Sequence, residues 1–205
     1  MKRMKMFFRF DKEEKWLEEM TGNGWLLCGK GLFYDFQRCT PDRCTIRADY
    51  REFKNREEFE VYRAMFEDSG WKHLAGSKSS GNQYFLKLRD SCTEDIFSDE
   101  RSRAGRYKRV ANAWLCAAIA LLPLMVVYYG PGSGQRYWNP AEWYLTPGLW
   151  ELEGASFWWA FLFETPFALG RGVGWLFPLA PLLMYLGYAL KAWHLYKDAV
   201  KGRNT

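Results

Sequence analysis

The side chains best able to act as bases, nucleophiles or metal ligands in this 205-residue chain are two histidines, His73 and His194, and five cysteines. The histidines lie far apart, and neither heads a nucleophile or metal motif; no Gly-x-Ser-x-Gly elbow, His-Glu-x-x-His pair or glycine-rich phosphate loop occurs. Cys39 and Cys44 are one loose pair across an expected turn at Pro41 and Asp42, with Cys28, Cys92 and Cys116 elsewhere. A zinc site needs two close pairs or a Cys/His cluster. The expectation is a protein without catalytic residues, cofactor or metal, whose thiols stay reduced if its soluble part faces the cytosol.

Recognition chemistry is what the remaining residues offer. Residues 5–10 and 44–50 alternate apolar and charged side chains as strands do, which would set Phe7, Arg9, Arg47 and Asp49 side by side on an open sheet face. Such a cluster is either a solvated face with cross-strand ion pairs or a platform for an anionic small molecule or a peptide.

The elements that would position these residues follow one another within residues 1–92, read as a cytosolic domain. A strand over 5–10 leads into a helix capped by Asp11, with Glu13 and Glu14 in its first turn and Trp16, Leu17 and Met20 at helical spacing. Gly22, Asn23 and Gly24 stop it, and residues 25–37 read as one long strand, broken or bulged at Gly29 and Gly31. Asn55 starts a second helix with Phe59, Tyr62, Met65 and Phe66 as its apolar stripe, and Gly70 ends it. A shift of 46 residues superimposes Trp16 on Tyr62, Met20 on Phe66, Gly24 on Gly70 and Trp25 on Trp71. The repeat unit is helix, glycine stop, tryptophan, strand. With a last strand over 83–89, the expected fold is α+β: a ferredoxin-like split βαβ sandwich, βαββαβ plus an extra strand, followed by two transmembrane helices.

Residues 93–109 read as an acidic-then-basic juxtamembrane linker. Residues 110–129 hold no charge, and at about 1.5 Å per residue they cover roughly the 30 Å of a bilayer core. Arg101, Arg103, Arg106, Lys108 and Arg109 precede this span as a basic collar, so the N-terminal domain is expected on the cytosolic side, where the collar could also grip anionic headgroups. Pro123 is expected to kink the helix. Residues 130–172 form an aromatic extracytoplasmic loop, in which 155–169, with Glu164 and Pro166, is expected to be interfacial or re-entrant, with Trp158 and Trp159 as interface anchors. Residues 173–193 form the second span, with Trp175 and Trp193 at its ends, and 194–205 a basic cytosolic tail that includes Lys197. These flanking cations account for much of the net charge of +5, so a bilayer, not nucleic acid, is the expected acidic partner. No secretory signal is expected at the start of the sequence, because residues 1–11 lack an apolar core of signal-peptide length.

Phe8-Arg9-Phe10-Asp11, Glu13-Glu14-Lys15-Trp16-Leu17, Gly24-Trp25, Ile46-Arg47-Ala48-Asp49-Tyr50 and Gly70-Trp71 together resemble a bacterial membrane-protein family, domain-of-unknown-function family 2812, over roughly residues 4–90. The resemblance implies two spans after the soluble domain and a place beside PadR-type regulators, hence a regulated envelope response. It implies no catalytic residues. The expected function is a non-enzymatic, membrane-anchored sensory or regulatory module of the bacterial cytoplasmic membrane, with both termini cytosolic. Its cytosolic domain would bind a small ligand, a protein partner or another copy of itself; the alternative is an accessory or assembly subunit of a larger membrane complex, such as a transporter.

Overall fold

In the computed structural model, residues 1–42, 44–88, 95–129, 139–174 and 176–201 are described. Expectations for Cys92, for residues 93–94 and 130–138, for Trp175 and for residues 202–205 fall outside them. The chain divides into two units, Met1–Ala111 with Lys191–Thr205, and Asn112–Leu190.

The first unit is an α+β fold built twice on one plan. β1 (Lys2–Arg3), α1 (Phe10–Gly22), β2 (Trp25–Lys30) and β3 (Tyr34–Arg38) are followed by β4 (Ile46–Tyr50), α2 (Arg56–Asp68), β5 (Trp71–Ala75) and β6 (Asn82–Lys87). Each half makes an antiparallel three-stranded sheet in which the third strand lies between the first and second: β1-β3-β2 and β4-β6-β5. The repeat read from the sequence is reproduced in detail. Both helices have 13 residues. Gly24 and Gly70 follow them at φ +81° and +85°, a left-handed conformation that glycine adopts without Cβ strain. Pairing slips between Leu27 and Gly29 in one half and between His73 and Ala75 in the other, again 46 residues apart.

Two apolar clusters hold this unit together. Leu17, Leu27, Tyr34, Phe36, Ile46, Ala48 and Tyr84 join α1 to both sheets, and α1 packs on β2 and on β4. Phe53, Tyr62, Phe66, Trp71 and Phe85 sit between α2 and the other face of the second sheet. The second sheet is therefore covered on both sides, by α1 and by α2.

Three expectations are corrected here. Residues 5–10 are not a strand: β1 is confined to Lys2–Arg3, Phe7 turns in against Trp16 and Tyr34, and Phe10 already begins α1 and is buried. The N-cap of α1 is Arg9, which makes no side-chain capping bond, and Asp11 lies inside the helix. The long strand over 25–37 is a hairpin, because the chain reverses at Gly31, whose N–H donates to the Phe33 carbonyl at 3.0 Å. That reversal replaces the single sheet expected with two. The Asn55 expectation fits, since its Oδ1 accepts the Glu58 N–H at 2.8 Å and caps α2.

α3 (Glu100–Ala120) is one continuous helix whose first part belongs to the first unit and whose remainder belongs to the second. The first unit also takes the last part of a C-terminal helix, Leu176–Lys201. There Leu195 and Tyr196 pack on the α1 cluster and Lys191 stands 3.5 Å above the Phe8 ring.

In the second unit, α4 (Leu122–Tyr129) follows α3 after a break at Leu121, two residues before Pro123. Single 3-10 turns at Pro140–Trp143 and Leu149–Glu151 precede α5 (Gly154–Gly174) and α6 (Leu176–Lys201). Trp114 of α3 packs on Tyr185 and Tyr188 of α6, with ring centroids 5.4 and 5.1 Å apart. Among the described residues, two helical stretches, Glu100–Val127 and Gly154–Lys201, are long and apolar enough to cross a membrane. α5 has 21 residues where only 155–169 were expected to be helical. Glu164, which with Pro166 and the short apolar run suggested an interfacial place, is paired within the unit: it accepts the Leu145 N–H (2.5 Å), the Thr146 N–H (3.0 Å) and hydroxyl, and Arg171 (2.7 Å).

Candidate functional site

β4 is the edge of its sheet. Its pairing to β6 uses alternate residues and leaves the N–H and C=O groups of Ile46, Ala48 and Tyr50 pointing away from the sheet. Such an edge would template another strand. Here each of these groups has a side-chain partner. Glu18 accepts the Ile46 N–H at 3.1 Å and Arg47 donates to the Ile46 carbonyl at 2.9 Å. Glu14 accepts the Ala48 N–H at 3.1 Å and Arg106 donates to the Ala48 carbonyl at 2.8 Å. Asp49 accepts the Tyr50 N–H at 2.7 Å and Arg109 donates to the Tyr50 carbonyl at 2.5 Å. Carboxylates meet the donors and guanidiniums meet the acceptors.

The guanidiniums are themselves paired with the carboxylates. Arg106, fully buried, donates to Glu14 at 2.5 Å and to Asp11 at 2.8 Å, and its guanidinium carbon lies 4.5 Å from the Phe10 ring centroid. Arg109 is bonded to Asp49, which also accepts the Tyr62 hydroxyl at 2.9 Å. Burial, with the Asp49 charge, pushes the Tyr62 phenol well above its ordinary pKa. Arg103 bridges Asp11 and Asp95 at 3.2 and 3.3 Å. Three arginines at three-residue spacing on α3 thus clasp β4 and α1. A cleft of about 330 Å³ opens beside them, lined by Asp11, Glu100, Arg103, Tyr107 and, from α6, Asp198.

A second buried carboxylate ties α1 to both sheets. Glu13 accepts the hydroxyls of Tyr34 at 2.5 Å and Tyr84 at 2.6 Å, one from each sheet. Burial raises its pKa above the usual carboxylate range, against the lowering effect of those two hydrogen bonds and of Lys30.

The four residues expected on an open face are not brought together. Asp49 is buried beneath α2, because the face that carries it is the one α2 covers. Arg47 is bound to Glu18 at 2.9 Å, Phe7 is half-buried against Trp16, and Arg9 lies exposed at the start of α1 near Asp11. The expected headgroup collar divides as well: Arg101 and Lys108 are exposed, whereas Arg106 is wholly internal and Arg103 and Arg109 are engaged with carboxylates. Of the other expected anchors, Trp158 and Trp159 are exposed on α5, and Lys197 lies 5.8 Å from the exposed Trp193 ring. His73 is wedged between Phe59 and Phe85 and bonded to Gln83 at 3.0 Å, with burial pulling its pKa down. Among the described residues, no group of three or more His, Cys, Asp or Glu side chains could hold a metal ion.

Glu14 and Glu18 were missed as site residues, although a signal exists: Phe10, Glu14, Leu17 and Thr21 recur at helical spacing, so Glu14 falls inside the buried stripe of α1.

A family model described as protein of unknown function (DUF2812) matches residues 9–119, which takes in this cluster and the helix α3 that supplies its arginines. No curated protein and no solved structure matches the chain.

Proposed function

Because the chain belongs to the DUF2812 family, proteins of unknown function, we propose its role from the geometry: a non-enzymatic, membrane-anchored regulatory module that relays binding at its soluble unit to a membrane helix. The observation that carries this reading is the buried Arg106, which lies on α3 ahead of the uncharged apolar run that begins at Val110 and is bonded to α1 and to the β4 backbone. A shift of α1 or β4 must break those bonds or move α3. The cleft lined by Asp11, Arg103 and Asp198 is where a small ligand or a partner's side chain would act on them. In this reading the first unit faces the cytosol, a side supported by the exposed Arg101 and Lys108 and by the cations after the second apolar stretch.

Cross-linking in cells with the full chain, followed by recovery from detergent, tests the reading. The wild-type chain recovers a partner; Arg106→Gln recovers severalfold less of it while still fractionating with membranes. Equal recovery by Arg106→Gln, with hydrogen exchange showing α1 and β4 loosened, would overturn it.

One feature favours a second reading, an accessory subunit of a membrane complex. Trp159, Phe163 and Phe167, four residues apart on α5, are exposed along one face of that helix, which suits contact with another membrane protein. Partners that persist after Arg106→Gln but are lost with Trp159→Ala and Phe163→Ala would select it.

A further inference from the structure

We infer that the N-terminal segment, residues 1–9, and the β2–β3 turn together form a lipid-binding platform that takes an anionic bilayer surface. The inference rests on the membrane-anchored reading above.

Four observations converge. Met4 and Met6 are each 72 % exposed and Leu32, at the turn, is 77 % exposed; Val61, Met65 and Leu88 of the same unit are also exposed, but they lie on and after α2, without these cations beside them in sequence. The register that pairs Lys2 with Asp35 and Arg3 with Tyr34 runs on toward Met4 and Phe33, so segment and turn are neighbours. Charge is one-sided: residues 1–10 hold Lys2, Arg3, Lys5 and Arg9 and no carboxylate, and Lys30 adds a cation at the turn. Three acids approach: Asp35 at 3.9 Å from Lys2 and Asp11 at 3.8 Å from Arg9, both partly exposed and weakly paired, and the buried Glu13, whose charge acts on Lys30. Finally, the Phe8 ring lies 3.5 Å from the ammonium of Lys191, the first cation after the apolar run 176–190. A cation in that position belongs at headgroup level, so the segment touching it belongs there too. Methionine, leucine and phenylalanine side chains beside lysine and arginine are the composition of an interfacial membrane contact.

The test uses the full chain in nanodiscs, with an environment-sensitive fluorescent amino acid placed singly at positions 6, 32, 61 and 126. Brominated acyl chains quench from the lipid and iodide quenches from water. Discs of phosphatidylcholine with phosphatidylglycerol are compared with discs of phosphatidylcholine alone. The platform predicts lipid quenching at 6 and 32 several-fold above that at 61, stronger with phosphatidylglycerol, and reduced to the phosphatidylcholine level by the joint change Lys2→Glu, Arg3→Glu and Lys5→Glu. Position 126 is quenched by lipid throughout. If 126 is quenched by lipid while 6 and 32 respond only to iodide, the platform is overturned and the anchored reading stands. Shielding of 6 and 32 from both quenchers would show protein cover, a second copy of the chain, and also overturns it. Absence of lipid quenching at 126 removes the anchored reading and the platform together.

Discussion

Arg106 and Glu14 are 92 residues apart in sequence and 2.5 Å apart in space, and both are buried. The pair also serves the two outward-facing groups of Ala48, one partner for its N–H and one for its carbonyl. Removing one partner of a buried ion pair leaves the other uncompensated, which costs about 3–5 kcal/mol. Arg106→Ala is therefore expected to destabilise the first unit by about that much, and Arg106→Lys by less, since the ammonium keeps the charge but loses the fork that reaches Glu14 and Asp11 together. The joint change Arg106→Met and Glu14→Met recovers part of the loss. Urea unfolding of the full chain in detergent, followed by hydrogen exchange at the Ala48 amide, measures each case.

Glu13 gives the fold a pH dependence of defined sign. Its pKa is raised in the folded state, chiefly by burial, so the fold favours the protonated acid. Stability is greatest below the ordinary carboxylate pKa and falls as pH rises from there through the folded value, after which it is level. Glu13→Gln keeps an acceptor for Tyr34 and Tyr84 and removes the titration. Its unfolding midpoint should exceed wild type at neutral pH and vary less between pH 4 and 8. Glu13→Ala removes the shared acceptor of two hydroxyls that also bond each other, so one hydroxyl hydrogen is left without an acceptor, at about 1–3 kcal/mol.

Gly24 and Gly70 occupy the same place in the two halves, and both are left-handed. Alanine at either should cost about 1–2 kcal/mol from backbone strain. At Gly24 a Cβ would in addition stand 3.2 Å from the Cys39 carbonyl oxygen, so Gly24→Ala is expected to carry an extra steric penalty. Denaturation midpoints of the two single variants check the values.

Glu164 pins the segment 143–146 to α5, and Arg171 seconds it by donating to the Trp143 carbonyl at 2.7 Å. Glu164→Ala frees the Leu145 and Thr146 amides and leaves Arg171 without its carboxylate. Limited proteolysis in nanodiscs should then cut between residues 139 and 152 at least several times faster than in wild type. An unchanged rate would mean that the stacking of Tyr144 on Phe161, at 5.1 Å, suffices to hold the segment.

Local pattern carried much of the fold. The helix at Asn55, the 46-residue repeat, the glycine stops and the apolar stretches are each written in spacings of a few residues, and local spacing is what periodicity can read. The hairpin at Gly31 was harder, because Leu32, Phe33 and Tyr34 continue the alternation of a strand through a turn. The site was less legible still. Arg103, Arg106 and Arg109 precede an uncharged run, and a basic collar explains such residues without reference to any partner; only the meeting of α3 with α1 and β4 reveals their carboxylates. Arg47 and Asp49 alternate as residues on an exposed face would, but the cover over that face comes from α2, an element whose placement no strand pattern states.

Since every outward amide and carbonyl of β4 is already engaged by a side chain, that margin is shut to any foreign strand, while β2 and β5 lie against each other. Polymerisation by edge-to-edge strand addition at β4 is thereby blocked.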